Sequence, residues 1–299
     1  MALRRDELGP LIALLAMTAA WGSTFFMIKD VVTRIPVPDL LALRFAIAAV
    51  ALAVIAGPRL RMSTTTLRRG LLLGLLYGVA QLLQTFGLAQ TAASVSGFLT
   101  GLYVVLTPLL SALILRTRIP PAVWAASVLA TAGLGVLSLQ GFAIGYGELL
   151  TVASAVVYAL HIVALGRMSE PGTAWALSAV QMATIAVVCG VAAVPGGIQL
   201  PASGTDWAIV IYLALIAGAL TMLLQTWAQA RVEASRAAVI MAMEPVWAAA
   251  FAVALGGERI TVRMVIGGIA ILGAMYLVEL APRRRSAPPP SVEQETISR

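Results

Sequence analysis

The sequence predicts an all-α membrane protein, with ten transmembrane helices in two inverted five-helix repeats. Three observations carry that expectation. Hydrophobic residues make up 60% of the 299-residue chain and charged residues only 11%, against roughly 25% charged in soluble globular domains. The apolar residues fall into runs of about 20, the length that crosses a hydrocarbon core as a helix. The chain also repeats itself: Leu83-Gln84-Thr85 returns as Leu224-Gln225-Thr226, Ala93-Ser94 as Ala234-Ser235 and Arg118-Ile119 as Arg259-Ile260, all 141 residues apart.

The first run, Leu11 to Ile28 within a span at 10–29, is too long for a signal peptide and lacks a small-residue cleavage site. It is expected to remain as a membrane helix carrying Trp21-Gly22-Ser23. The second span (37–57) opens after Pro36, closes at Gly57-Pro58 and holds Arg44. The third (67–89) sets Tyr77, Gln81 and Gln84 on one helical face. In the fourth (92–115), Ser96, Thr100, Tyr103 and Thr107 also share one face, with Gly101 and Pro108 among them. The fifth (121–140) opens at Pro120-Pro121 and Trp124 and ends before the break from Gly141 to Gly147, completing a first repeat at 10–140.

The sixth span (145–167) aligns Ser154, Tyr158 and His161. The seventh (173–194) lies between Pro171-Gly172 and Pro195-Gly196-Gly197 and contains Cys189. As the sole cysteine, Cys189 excludes a disulfide within the chain and a Cys-based metal site. The eighth (206–229) echoes the third with Thr221, Gln225 and Gln229, and the ninth (233–256) holds Glu244, Pro245 and Trp247. The tenth (261–281) completes a second repeat at 145–281. Residues 282–299, with Pro288-Pro289-Pro290 and Glu293, form a polar tail expected to be disordered and cytoplasmic. Trp124, Trp175 and Trp207 begin helices and suit the membrane interface, whereas Trp21, Trp227 and Trp247 lie deeper.

Placing the N-terminus inside assigns Arg4, Arg5, Arg59, Arg61, Arg68, Arg69, Arg116, Arg118, Arg167, Arg231, Arg236 and the tail arginines to the cytoplasm. The opposite side receives only Lys29, Arg34, Arg259 and Arg263, so both termini are expected inside a bacterial-type inner membrane. Arg44, within the second span, is counted on neither side. Five spans per repeat is an odd number, so the two copies must be inverted. Elsewhere the register shifts to 137, pairing Trp21 with Tyr158, Arg44 with Gln181 and Pro108 with Pro245. At the uniform 141 offset the two prolines are instead displaced by about one helical turn. Either way each repeat has a proline inside its fourth helix, where its missing N–H favours a kink.

Polar residues in a membrane helix face protein or a water-filled cavity. The span-four stripe either bonds packed helices together or lines such a cavity, and the same two readings hold for Gln84 and Gln225. His161, the only histidine, lacks companions for a metal site; it is either a neutral, hydrogen-bonded ring or a proton carrier. Glu244 lies near mid-span, where an ionised, unpaired carboxylate is costly. It is a proton-coupling site, a contact for a substrate ammonium or a structural acceptor beside Pro245. Trp247, with Met243 and Ile240, is expected to extend that neighbourhood toward an amine on an apolar body. Lys29, Asp30, Arg34 and Asp39 are expected to be solvated helix-end charges.

Trp-Gly-Ser in the first span, Arg44 early in the second, the run Ala93 to Pro108, and Glu244-Pro245 followed by Gly256-Gly257-Glu258-Arg259 together resemble the EamA-domain family of the drug/metabolite transporter superfamily. The resemblance spans about residues 10–281. It implies ten helices in two inverted repeats and the export of small metabolites, as in YddG-type amino-acid exporters. One departure is Arg116-Thr117-Arg118, where a Gly-Glu-Arg is common after span four.

The expectation is therefore a secondary transporter, not an enzyme, exporting amino acids or similar small metabolites by alternating access through a mostly apolar central cavity. Candidate substrate contacts are Trp21, Tyr77, Gln81, Gln84, Thr100, Tyr103, Tyr158, His161, Gln225, Met243, Glu244 and Trp247. Gly22, Gly101, Pro108 and Pro245 are the expected points of kinking or gating. No cofactor or metal is expected, and the partners are a small solute and the lipid bilayer, with a functional monomer. The basic residues sit in short loops rather than on an aromatic-studded face, which excludes nucleic acid. Two alternatives remain open: a proton-coupled exporter of cationic compounds, and an intramembrane enzyme, for which paired deep acids, a His cluster or a Ser/His dyad would be required.

Overall fold

The computed structural model describes residues 5–57, 60, 62–115, 121–138, 145–232 and 234–280. The 282–299 tail, Arg4, Arg59, Arg61 and the Arg116-Thr117-Arg118 segment lie outside them. Among the described residues all regular structure is helical. The helices are α1 (Arg5–Val31), α2 (Val37–Ala56), α3 (Thr64–Gln90), α4 (Ala93–Thr100), α5 (Tyr103–Leu115), α6 (Pro121–Ser138), α7 (Tyr146–Met168), α8 (Ala174–Ala193), α9 (Gly204–Ala214), α10 (Thr221–Gln229), α11 (Ala234–Met241), α12 (Glu244–Ala254) and α13 (Val262–Leu280).

Among the described residues, seven stretches are long and apolar enough to cross a membrane, and shorter apolar stretches lie at Trp124–Gly133, Glu244–Ala254 and Val262–Leu277. Local chemistry sets the boundaries. Ser63 caps α3 by accepting the Thr66 N–H at 3.0 Å, and Ser203 caps α9 by accepting that of Asp206 at 3.0 Å. Pro38 occupies the first turn of α2, where its missing N–H costs nothing.

Three of the predicted spans are interrupted. A π-helical stretch, Leu215–Leu220, joins α9 to α10. The fourth span divides at Gly101-Leu102 and the ninth at Ala242-Met243. These two breaks are related by the offset of 141 that separates Tyr103, the first residue of α5, from Glu244, the first of α12. The expected kink at Pro108 is not where the fourth span breaks: Pro108 lies inside a continuing α5. Pro245 sits in the first turn of α12, and α11 ends at Met241, whose carbonyl has no Pro N–H to accept. The prolines therefore stand one turn apart relative to their breaks.

The main pairings join the two halves of the chain: α3 packs on α7 and α8, α2 on α8, α6 on α13, and α12 on α1 and α4. Residues 5–138 and 145–280 thus interleave rather than forming two separate bundles. Hydrogen bonds at the ends of α3 give the helix directions. The Lys29 Nζ of α1 donates to Leu88 O and Ala89 O at the C-terminus of α3, at 3.1 and 3.0 Å, whereas Arg69, near the N-terminus of α3, donates to Met168 O at the end of α7 (3.1 Å). The opening helices of the two halves, α1 and α7, therefore run in opposite directions.

Candidate functional site

The halves meet around a narrow central cavity of about 40 Å³. Of the twelve predicted substrate contacts, Trp21, Tyr77, Gln81, Gln84, Thr100, Tyr103, Tyr158, His161, Gln225 and Glu244 line it. Helix periodicity and the repeat made these residues visible in sequence, because each lies on a polar face of an otherwise apolar helix. Thr24, Phe25, Ile28, Arg44, Ile162 and Met241 complete the wall.

Two hydrogen-bonded groups shape the polar interior. In the first, Tyr158 donates to Gln84 Oε1 at 2.9 Å and Gln84 Nε2 donates to Thr100 Oγ1 at 3.1 Å, so both ends of that amide are used. Tyr77 stands edge-on to Tyr158 (5.3 Å between centroids) and to His161 (5.0 Å), the arrangement preferred by aromatic rings. In the second, the Tyr103 hydroxyl lies 3.0 Å from both Met241 O and Glu244 Oε2. Glu244 is only 5% exposed. The carboxyl thus sits at the head of α12, where the Ala242-Met243 break brings it onto the cavity wall.

His161 Nε2 lies 2.9 Å from Gln181 Oε1, and the Gln181 amide nitrogen points at Leu177 O and Thr226 Oγ1. With the Gln181 oxygen accepting, Nε2 carries the hydrogen and Nδ1 is a buried acceptor without a partner. Ser154 donates to Thr151 O at 2.6 Å, within its own helix, so it forms no Ser/His pair with His161. Gln225 Nε2 donates to Gln229 Oε1 at 3.0 Å, and Gln225 Oε1 has no partner. Trp21 reaches across from α1 and donates to Thr221 Oγ1 at 2.9 Å and to Ala217 O at 3.2 Å, inside the π-helical stretch. That stretch widens the helix where the indole enters.

The family profile of EamA-like transporters matches the chain twice, at residues 8–139 and 145–280. The chain belongs to the EamA-like transporter family. As an EamA-like protein it is a multi-pass membrane protein and a transporter of the drug/metabolite type. It is 28% identical over 270 residues to an uncharacterized transporter of Archaeoglobus fulgidus, covering 90% of this chain and 84% of that one. A protein of known crystal structure shares the fold with a TM-score of 0.69 at 20% identity, covering 94% of this chain and all of the other.

Two predicted contacts of this EamA-like transporter lie elsewhere. Trp247 is 38% exposed and its ring is tilted against that of Phe251, with centroids 6.2 Å apart, away from the cavity. Three residues along a helix turn the side chain some 60° from that of Glu244, enough to carry Trp247 onto the α1-facing edge. Met243, in the α11–α12 break, lines a separate apolar groove with Leu11, Leu15 and Tyr276. Ile240 borders the same groove.

The glycines expected to give compliance are also sites of close approach. A Cβ on Gly22 would fall 2.4 Å from Trp247 Cβ, and one on Gly101 would fall 2.5 Å from Pro245 Cγ. The first packs α1 on α12, and the second seats the α4–α5 break against the Pro245 ring. Span four also behaves differently along its stripe. Thr100 and Tyr103 reach the cavity, while Thr107 bonds Tyr103 O at 2.6 Å and Ser96 is buried without a partner.

The helix-end charges are engaged, and not all are solvated as expected: Asp30 and Arg34 are exposed, whereas Asp39 is buried. Arg34 donates to Asp206 Oδ1 and Asp30 Oδ2, each at 2.7 Å, and these hydrogen bonds raise its guanidinium above the ordinary arginine range. Asp39, 2% exposed, accepts the Gln199 N–H at 2.9 Å. Glu258, from the Gly-Gly-Glu-Arg motif, accepts the Ala93 N–H at 2.6 Å and is also bonded by the Ser94 hydroxyl. It thereby caps the N-terminus of α4 from the other half of the chain.

Proposed function

We propose that this EamA-like protein is a secondary transporter built of ten spans in two inverted repeats, exporting amino acids or similar small metabolites. The observation that carries this reading is one cavity lined jointly by both halves, in which the repeat-related amides Gln84 and Gln225 both take part. The opposed directions of α1 and α7 support inversion, and the shared offset of the two helix breaks supports common ancestry of the halves. Apolar walls from Phe25, Ile28, Ile162 and Met241 with a few hydroxyls and amides suit a zwitterion bearing an apolar side chain. A sugar needs more hydrogen-bonding groups, and a phosphate needs an arginine cluster.

Alternating access then works through interleaved helices. The groups that move are drawn from both repeats, since each half packs chiefly on the other. One end of the molecule is tied by Lys29, Arg34–Asp206 and Glu258, the other by Arg69 with Met168 and Glu170. The arginine count supports a cytoplasmic Arg69 end and cytoplasmic termini in a bacterial-type inner membrane, with the monomer as the working unit.

Reconstitution into liposomes and uptake of a labelled amino-acid panel, with and without a pH gradient, tests this reading. We expect flux for amino acids with apolar side chains; no flux for any member of the panel would sink the substrate class. Glu244 also favours a second reading, a proton-coupled exporter of cationic compounds. Drug resistance that Glu244→Gln leaves unchanged would remove that reading.

A further inference from the structure

Three buried polar atoms on residues lining the central cavity have no hydrogen-bond partner: Arg44 Nε, Gln225 Oε1 and His161 Nδ1. They divide by chemistry. Arg44 offers donors and a positive charge; Gln225 and His161 offer acceptors. Glu244, on the same wall, adds a carboxyl.

Arg44 is the least expected of these. It lies within α2, is 3% exposed, and its guanidinium carbon stands 4.6 Å from the centroid of the Phe45 ring. No carboxylate lies within 4.0 Å of it among the described residues. An unpaired cation at such a place in a membrane protein is costly, and such residues face a pathway or a partner. Its repeat counterpart at the 137 register, Gln181, is neutral and fully engaged with His161, Leu177 and Thr226. Likewise Glu244 stands at the 141 register opposite the phenol of Tyr103. The two halves thus depart from one another at two cavity positions, by a cation in one and an acid in the other.

We propose that Arg44 is the carboxylate-binding pole of the cavity and that Gln225 Oε1 with Glu244 is the ammonium-binding pole, so that an α-amino acid bridges them as a zwitterion. This deepens the transporter reading and rests on it. The bound solute supplies the anion that Arg44 lacks and the N–H donors that Gln225 lacks. Its apolar side chain lies against Phe25, Ile28, Ile162 and Met241. A substrate with both charges is selected over one with either alone, because a singly charged analogue leaves one buried pole unmatched.

Isothermal titration calorimetry on the full chain in detergent tests the assignment with three probes: leucine, leucinamide (ammonium only) and 4-methylpentanoate (carboxylate only). Leucine is expected to bind on the order of 10- to 100-fold more tightly than either analogue, the span of one hydrogen bond to a charged group. R44Q should lose leucine and 4-methylpentanoate by a similar factor while leaving leucinamide unchanged. Q225L should weaken leucine and leucinamide and spare 4-methylpentanoate. R44K keeps the charge and should recover part of the leucine affinity, with thermal midpoints confirming that each variant is folded. Leucine bound equally by wild type and R44Q, leucinamide bound as tightly as leucine, or no leucine binding by the wild type overturns the assignment. Leucine flux in liposomes that R44Q leaves unchanged overturns it while the transporter reading stands. Leucine binding that follows the expected pattern, with no flux for any amino acid, supports the two poles and overturns amino-acid export instead.

Discussion

Tyr103 and Glu244 are hydrogen-bonded at 3.0 Å and stand 141 residues apart, the offset at which the sequence repeats itself. Two positions exchanged by a two-fold operation can touch only where the axis passes between them. Under the proposed inverted repeat, the axis therefore runs through this bond, on the wall of the cavity. The pair is chemically unequal. The phenol has a single hydrogen, shared between Met241 O and Glu244 Oε2 at 3.0 Å each. If Glu244 is ionised, it accepts that hydrogen; if protonated, it can donate to the phenolic oxygen, which then gives its own hydrogen to Met241 O. The contact survives in both states, so a proton can be taken up there without breaking the wall.

Glu244→Gln and Tyr103→Phe separate these roles. The glutamine keeps a hydrogen-bonding group of similar size but cannot change charge, so the thermal midpoint should hold while flux in liposomes loses its dependence on pH. The phenylalanine removes the donor that Glu244 and Met241 O share, which should cost about 1.5–3 kcal/mol of stability and lower the midpoint more than E244Q does. An E244Q protein whose flux still follows pH as the wild type does would remove Glu244 from proton exchange.

What sequence made legible follows from what leaves a periodic trace. Gln84, Gln225, Thr100 and Tyr103 reach the cavity because polar residues at helical spacing in apolar spans have few other places to go. Arg44 belongs to the same class, a charge inside a span, but no polar residue accompanies it at helical spacing, so periodicity gives it no role; its depth in α2 was the available signal. Trp247 stands off the cavity for a geometric reason, since three residues share a face only approximately and α1 packs against it. The break at Gly101 left a weaker trace than Pro108, because it depends on the Pro245 ring packing against a residue without a side chain. Neither the Glu258 cap on α4 nor the Arg34–Asp206 contact could be read locally, as each joins segments more than a hundred residues apart.

Gln84 and Gln225 occupy related positions yet should respond differently to replacement by leucine. Gln84 is bonded at both ends by Tyr158 and Thr100, so Q84L leaves two buried hydroxyls unmatched and should cost about 1–3 kcal/mol. Gln225 retains an open acceptor, and the larger effect of Q225L should fall on leucine affinity. Thermal unfolding and calorimetry of both variants check this, and equal losses of affinity would contradict it.

Glu258 ties the α12–α13 connection to the start of α4, so E258A should uncap that helix. The expected cost is about 0.5–2 kcal/mol. Hydrogen exchange gives the local readout: the Ala93 and Ser94 amides, which Glu258 accepts, should lose protection, while amides in the middle of α3 should keep theirs. Unchanged exchange at Ala93 would show that the cap contributes nothing to holding this end together.

Helix contact across the halves depends on missing side chains, and α3 and α8 supply a matched pair of tests. A Cβ on Gly74 would fall 2.5 Å from Thr184 Cβ and 2.9 Å from Gln181 O, whereas nothing lies within 4 Å of one on Gly190. Thr184 is β-branched and the Gln181 carbonyl belongs to the α8 backbone, so neither can yield without moving the helix. G74V should therefore destabilise by about 1–3 kcal/mol. Because Gln181 also holds His161, the same shift should disturb the cavity and weaken leucine binding. G190A should do the reverse, gaining up to about 1 kcal/mol from helix propensity alone with binding unchanged. A G74V protein as stable as the wild type would mean that α3 and α8 do not approach each other as closely as their glycine contact requires.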